Sequence, residues 1–272
     1  MRLASGFVLI TWQDPLINVT ITSDLVYYKG ASSMRSLLRY IVLAILLAGG
    51  QPAIGAGLQV TPIVLDIKQS QKSDGLWLTN TSNASMDVQV RVFEWVQNNE
   101  TDVLTPTTDF VASPPMAKIP GSGKQFVRLV KVGQPAVAME RSYRIVVDEL
   151  PLESAASKGL TFALRYSIPV FIQGVNKPTP PNLNWNLAAG PKGSVLLSIH
   201  NSGTTRAKLS DLQFTSNRGG KTHLVNKGLF GYALANSGRH WSLKNSQLFS
   251  AGGTFKVVMN GKTLQIPVSA PN

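Results

Sequence analysis

The residues after position 57 alternate between apolar and polar in short runs separated by turn signals, and this pattern most restricts the possible folds. A period of two is typical of β-strands that bury one face, whereas a helix repeats its apolar residues every three to four positions. No stretch after residue 57 sustains a helical period. The sequence therefore predicts an all-β protein. In the first half, strands are predicted at residues 58–67, 75–80, 86–95, 124–130, 141–149 and 160–172.

The pattern starts again after a proline-rich stretch at residues 174–181. The first half holds six or seven predicted strands and the second seven, close to the number found in an immunoglobulin-like sandwich. Asn260-Gly261 is typical of a two-residue hairpin turn. We therefore predict two immunoglobulin-like β-sandwich domains, at residues 57–174 and 175–272, joined by a short Pro-rich linker. Strands of the second domain are predicted at residues 194–200, 207–215, 221–225, 228–234, 239–243, 253–259 and 263–268.

A secretion signal is predicted at residues 34–56. Arg35 and Arg39 precede an apolar run, and small residues follow up to Ala56. The run is shorter than the about twenty apolar residues that a membrane span needs, so we expect cleavage after Ala56 and no stable membrane insertion afterwards. Residues 1–33 lie in front of this signal and indicate a wrongly chosen start codon. The alternative is a true N-terminal extension followed by an internal signal anchor.

The chain has a formal net charge of +12 and no cysteine. This charge favours acidic partners, nucleic acid or an anionic membrane surface. The basic residues are scattered, and no recognition helix or aromatic–basic motif accompanies them, so we do not expect nucleic acid as a partner. Without cysteine there is no disulfide and no thiolate metal site. A signal peptide on a cysteine-free chain is most consistent with the bacterial periplasm.

Motifs of catalysis are missing from the sequence. The three histidines, His200, His223 and His240, lie far apart and lack metal-ligand spacing. There is no G-x-S-x-G elbow and no glycine-rich phosphate loop after a strand. Asp148 and Glu149 are adjacent on a predicted strand, so they point to opposite faces and do not form a carboxylate pair. We therefore predict that the protein is not an enzyme and needs neither a cofactor nor a metal.

One predicted strand is apolar on a single face over an unusual length. Within residues 160–168, this face carries Leu160, Phe162, Leu164, Tyr166 and Ile168, and the residues between them are small or polar. The strand leads directly into the linker. It is either an ordinary inner strand of a sandwich or a strand that pairs with another protein.

Ordered motifs along the chain resemble the PapD-like periplasmic pilus chaperones of chaperone–usher systems. The matching motifs are LQVTPIVL at residues 58–65, LWLTN at 76–80, VQVRVFEW at 88–95, PPMAKIP at 114–120 and RSYRIVVDELP at 141–151. Residues 160–168 fall where this family keeps its donor strand. The resemblance implies a chaperone that binds and folds pilus subunits by donor-strand complementation and delivers them to an outer-membrane usher. In that role Leu160, Phe162, Leu164 and Tyr166 would fill a groove of the subunit.

The sequence departs from the better-known branch of this family at the anchor for the subunit's terminal carboxylate. The two cations of that anchor fall here on Val64 and Ser167, and Phe171 replaces an arginine, which puts an interdomain ion pair of Glu149 in doubt. The motif at residues 165–171 and Asn-Ser-Gly at 201–203 resemble the archaic branch associated with spore-coat-U-type subunits. Because the planar fork of arginine binds a carboxylate through two parallel bonds, other arginines on strands of the first domain are candidates. They are Arg128, Arg144 and Arg165.

Two other hypotheses stay open at this point. A secreted pilus subunit or adhesin would also be immunoglobulin-like, although it would be one incomplete domain with a free N-terminal donor extension. A secreted β-sandwich hydrolase or carbohydrate-binding module would need a catalytic or aromatic constellation. Trp77 and Trp95 are predicted to lie in the sandwich core instead.

Overall fold

A computed structural model describes residues 57–98, 101–133, 137–150 and 163–271, together with the backbone of two short strands nearer the start of the chain. The chain divides into two units, Met1–Ile54 and Gly55–Asn272. In the first unit, β1 (Ile21–Thr22) and β2 (Leu25–Val26) form an antiparallel pair. The predicted signal peptide and its cleavage site lie outside the described residues. In the described part of the chain, no helix is long and apolar enough to cross a membrane.

The first half of the second unit contains ten strands in two sheets. They are β3 (Leu58–Thr61), β4 (Leu65–Ile67), β5 (Ser73–Asn80), β6 (Met86–Gln97), β7 (Asp102–Pro106), β8 (Phe110–Ser113), β9 (Met116–Ile119), β10 (Lys124–Lys131), β11 (Arg141–Leu150) and β12 (Arg165–Ile172). One sheet has the order β3-β5-β10-β8. The other has the order β4-β12-β11-β6-β7, and β9 also pairs with β6. The two sheets enclose the first hydrophobic core.

The first predicted strand, residues 58–67, is divided between the two sheets. β3 pairs with β5 in one sheet, whereas β4 pairs in parallel with β12 in the other. Pro62 lies at the break and has no backbone amide to donate to a ladder, which favours a change of partner at this point. The prediction of one continuous strand was wrong, because apolar alternation does not reveal such a switch between sheets.

Alternate side chains of the strands form the first core. Tyr143, Ile145 and Val147 of β11 are fully buried, and Ile168 and Val170 of β12 pack in the same cluster. Each such side chain contributes about 1.5–3 kcal/mol relative to an exposed position.

The prediction that Trp77 lies in the core was wrong. It is 49% exposed, because its neighbours Leu76 and Leu78 take the inward positions of β5. Its ring packs on Phe126, with 5.0 Å between the ring centroids, on the outer face of the four-stranded sheet. Trp95 is buried, but in a separate apolar cluster with Phe171, Tyr232 and Leu234 and not in the sandwich core that was predicted.

The second half forms another sandwich. Its strands are β13 (Leu183–Ala189), β14 (Val195–Asn201), β15 (Ala207–Ser216), β16 (Thr222–Ala233), β17 (Ser237–Leu243), β18 (Gly253–Met259) and β19 (Lys262–Val268), with one short helix, α1 (Ser246–Phe249). One sheet has the order β13-β14-β17 and the other the order β16-β15-β18-β19. Two predicted strands, at residues 221–225 and 228–234, form the single strand β16, and β13 was not predicted.

The turn between β18 and β19 has the predicted form. Asn260 and Gly261 have φ angles of 48° and 83°, which are the positive values that a two-residue hairpin turn requires. The prediction of an all-β protein with two immunoglobulin-like sandwiches and a Pro-rich linker is confirmed. The last strand of the first sandwich ends at Ile172 and the first strand of the second begins at Leu183. We therefore propose that the boundary between the two domains lies between residues 174 and 175, within this connection.

Candidate functional site

The strand β12 has an open edge along half of its length. It pairs with β11 from Arg165 to Ile172, whereas β4 pairs with it only from Val170 to Ile172. Among the described residues, positions 165–169 therefore have a neighbouring strand on one side only. An unpaired edge of this kind is a surface to which a strand of another protein can add.

The backbone groups that point out of this edge follow from the pairing with β11. The backbone amide of Glu149 donates to the carbonyl of Leu164 (2.9 Å). In an antiparallel pair, alternate residues direct their backbone groups to the same side, so Tyr166 also faces β11 and Arg165, Ser167 and Pro169 face away from it. Pro169 lacks an amide, and its place at the open edge removes no bond to β11.

The predicted groove-filling residues do not share one environment. Leu160 and Phe162 lie outside the described residues. Leu164 is 39% exposed and lies just before β12, against Gly57. Tyr166 packs on the protein's own first core, and its hydroxyl donates to the carbonyl of Leu58. Ile168 on the same face is buried.

Two of the three predicted anchor arginines lie away from the space between the domains or are already paired. Arg128 is exposed on β10, in the sheet that does not contain β12. Arg165 donates to Asp148, which also accepts from Arg91 at 2.6 Å. Burial works against ionisation of this carboxyl, but the hydrogen bonds from the two guanidinium groups outweigh it and lower the pKa of Asp148.

The third predicted anchor, Arg144, lies between the two domains. Its guanidinium carbon is 3.8 Å from the ring centroid of Trp95 in the first domain and 6.0 Å from that of Tyr232 in the second. Its Nη1 donates to the carbonyl of Ser167, at 3.4 Å, on the open edge of β12. Of the three predicted anchor arginines, all of which the structure describes, Arg144 alone joins the edge of β12 to the second domain.

The charge of Arg144 lacks a paired carboxylate in the described part of the chain. Burial lowers the pKa of Arg144, and nearby Arg239 adds to this effect, while Asp102 and Tyr232 oppose it. A guanidinium still remains protonated at neutral pH. A cation that is partly removed from water without a counter-ion is stabilised by an anion, and a carboxylate fits its planar fork.

An apolar cluster joins the two domains beside Arg144. Trp95 and Phe171 of the first domain are buried against Tyr232 and Leu234 of the second, and Val64 packs on them. The ring of Tyr232 lies 5.6 Å from that of Trp95, edge to face. Val64 and Phe171, two of the positions where the sequence departs from the better-known branch, therefore form part of the interdomain contact.

Polar contacts surround this cluster, and the sequence did not predict them. Arg206 of the second domain forms ion pairs with Glu140 (2.6 Å) and Asp66, and Arg239 pairs with Asp102. Glu149 forms no ion pair across the domains among the described residues. The partners are far apart in the sequence, so no local pattern announces them.

Groups of side chains that could hold a metal ion are absent from the described part of the chain.

Sequence comparison gives a matching family model and a relative. The family model for the pili and flagellar-assembly chaperone, PapD N-terminal domain, matches residues 57–176. YhcA, an uncharacterized fimbrial chaperone of Escherichia coli (strain K12), is 20% identical over 194 residues, which span 71% of this chain and 83% of YhcA.

Comparison with solved structures gives a consistent result. A chain of the CsuC–CsuE chaperone–tip adhesion subunit pre-assembly complex, from the archaic chaperone–usher Csu pili of Acinetobacter baumannii, is 30% identical. The match has a TM-score of 0.63 and covers 78% of this chain and 98% of that one. A chain from the complex of Salmonella enterica SafA pilin with the SafB chaperone is 14% identical, with a TM-score of 0.53, and covers 78% of this chain and 96% of that one. At 14% identity, the match to the SafA–SafB complex is evidence for the fold alone.

Proposed function

The chain belongs to the PapD-like family of pilus-assembly chaperones, and we propose that it binds a pilus subunit in the periplasm and delivers it to an outer-membrane usher. The family and its fold are non-enzymatic in general, and the family is periplasmic in general. The similarity to the Csu chaperone supports a place in the archaic branch. A pilus subunit or adhesin is the weaker hypothesis, because this chain has two sandwiches and matches chaperones.

The open edge of β12 is the observation that carries the proposal. A subunit strand that adds to this edge would pair with the outward backbone groups of Arg165 and Ser167, in donor-strand complementation, an established case of β-augmentation. Side chains ahead of β12 would enter the subunit's groove. Leu160, Phe162 and Leu164 have the size and the spacing for this role, and each would contribute about 1.5–3 kcal/mol if it became fully buried.

Arg144 is the residue that we assign to the subunit's terminal carboxylate. Its guanidinium lies beside the open edge at Ser167, which is where the end of a strand added to β12 would enter the space between the domains. The rings of Trp95 and Tyr232 exclude water from the guanidinium, which strengthens its attraction for an anion. Arg144 would thus replace the two cations of the better-known branch.

Co-purification tests the proposal. A tagged chaperone should bring down a small secreted subunit encoded near its gene, and Leu164→Asp should abolish this recovery, because a carboxylate cannot enter an apolar groove. Phe162→Asp serves as a second variant. Leu229→Asp is the matched control, because Leu229 is also exposed, at 55%, but lies on β16 of the second domain.

Normal recovery of the subunit with both Leu164→Asp and Phe162→Asp would contradict the donor-strand role. Circular dichroism of each purified variant separates lost binding from lost folding. If the two variants fail to fold, residues 160–168 form an ordinary inner strand instead.

A further inference from the structure

The side chain of Gln97 connects the two domains through the backbone of the second. Gln97 is the last residue of β6 and is 8% exposed. Its Nε2 donates to the carbonyl of Tyr232 (2.8 Å), and its Oε1 accepts from the backbone amide of Leu234 (2.9 Å). In a β-sheet, the backbone C=O and N–H groups at the edge of one strand bond in the same way to the backbone of the next strand. The amide therefore binds the end of β16 as an additional strand would.

The same segment also forms hydrogen bonds with a residue of its own domain. Asn201 is fully buried, and its Nδ2 donates to the carbonyls of Ala233 (3.2 Å) and Leu234 (2.9 Å). Residues 232–234 thus lie between two buried amides, one from each domain. Hydrogen bonds from both domains therefore hold this segment in place.

A second bond of Gln97 extends the connection. Its Nε2 also donates to Oδ1 of Asp102 (2.9 Å), whose other oxygen pairs with Arg239 of the second domain. The three hydrogen bonds of the Gln97 side chain, to Tyr232, Leu234 and Asp102, therefore all involve groups at the interdomain contact. Only a side-chain amide, with two N–H donors beside an acceptor, can make this set of bonds.

The position of Tyr232 determines the surroundings of Arg144. Its ring packs on Trp95 at 5.6 Å and lies 6.0 Å from the guanidinium carbon of Arg144. We propose that Gln97 is a positioning residue, which fixes the angle between the domains and thereby the shape of the carboxylate site at Arg144. The inference rests on the proposed function, because it assumes that this site receives the subunit's carboxylate.

The interdomain angle can be measured directly. The chain has no cysteine, so a pair introduced at exposed positions, Lys118→Cys and Lys262→Cys, accepts two spin labels, one on each domain. Gln97→Met keeps the length of the side chain but removes its hydrogen bonds, and should broaden the distance distribution. Gln125→Met is the matched control, since the side chain of Gln125 donates to the neighbouring carbonyl of Phe126, outside the interdomain contact. An unchanged distribution in Gln97→Met would overturn the inference.

A second measurement separates positioning from simple structural support. The co-purifying subunit is prepared with a free or an amidated C terminus, and its affinity for the chaperone is compared. The unaltered chaperone should prefer the free carboxylate by about tenfold or more, the value of a hydrogen-bonded charge. In Gln97→Met this preference should fall towards unity. A preference that stays unchanged would show that Gln97 does not position Arg144.

Different results would contradict the carboxylate site at Arg144 and the positioning role of Gln97. If the unaltered chaperone does not distinguish the two subunit preparations, the carboxylate site at Arg144 is wrong, and with it the positioning role of Gln97 for that site. Gln97→Asn provides a further variant should Gln97→Met not fold, because its shorter amide cannot reach both backbone groups of residues 232–234.

Discussion

Arg144 illustrates how the surroundings of a single side chain depend on residues of both domains. On β11 it is one of two arginines, and its own strand gives it no special environment. The aromatic rings of Trp95 and Tyr232 desolvate it, and no carboxylate among the described residues pairs with it. An anion that enters the space between the domains therefore meets a charge that no described carboxylate neutralises.

Substitution of Arg144 should affect subunit binding more than that of the other candidates. Arg144→Ala should weaken binding by about ten- to a hundredfold, because a hydrogen bond to a charged group contributes about 1.5–3 kcal/mol. The subunit affinity of Arg144→Lys should lie between those of the parent and Arg144→Ala, since lysine keeps the charge without the planar fork. Isothermal titration with the purified subunit measures both. Arg128→Ala is the control, and equal affinities of Arg144→Ala and Arg128→Ala would contradict the assignment.

The sequence identified Arg144 as one candidate among three but could not rank it. The pairing of Arg165 with Asp148 depends on the register between β11 and β12, in which the two residues are opposite each other. The contact with Tyr232 depends on the packing of two domains. Neither this ion pair nor this contact can be inferred from the local alternation of apolar and polar residues. Trp77 shows the same limit, because its apolar character suggested burial although its position on β5 points outward.

At the scale of elements, the apolar face that begins ahead of β12 and continues along it lies in two environments. Ile168, Val170 and Ile172 lie in the protein's own core, whereas Leu164, ahead of the strand, is exposed. The sequence predicted the alternation of this face but not where the strand begins or which part of it lacks a neighbour. It also missed β7, since that strand is largely exposed and has no apolar alternation to detect.

The open edge predicts a selective effect of proline. The amide of Ser167 points away from β11, so Ser167→Pro removes a donor from the edge but no bond within the sheet. We expect subunit affinity to fall by about two- to tenfold, the value of one lost hydrogen bond. Ser167→Ala, which keeps the amide, should bind normally. Thermal unfolding should show that both variants retain the stability of the parent, and unimpaired binding by Ser167→Pro would contradict pairing at this edge.

At the scale of the whole molecule, the two sandwiches are joined by an apolar cluster with ion pairs around it. Glu140 belongs to this contact, and its side chain is 4% exposed. Its Oε2 accepts from Nη1 of Arg206 at 2.6 Å, and the backbone amide of Arg206 donates to its other oxygen. Burial raises the pKa of Glu140 above its ordinary value of 4.5, although Arg206 acts in the opposite direction.

Glu140 should therefore contribute a component of stability that falls as pH rises. The folded protein binds the proton more tightly than the unfolded chain, so the contribution is complete below about pH 4.5 and is lost as pH rises through the higher pKa of the folded state. Glu140→Gln should remove this component. Denaturant unfolding from pH 4 to 7 measures it as the difference between the curves of the parent and the variant. Curves that run parallel would contradict the raised pKa.

The division of β12 also constrains how such a chaperone can diverge over generations. A change at Ile168, Val170 or Ile172 disturbs the protein's own folding and is harmful whichever client is present. If Leu164 and the residues ahead of it have the proposed donor-strand role, a change there would instead alter the fit to a client. After gene duplication, one copy could thus acquire a new client through substitutions ahead of β12, in step with compensating changes in the groove of the subunit gene, while the rest of the strand stays the same.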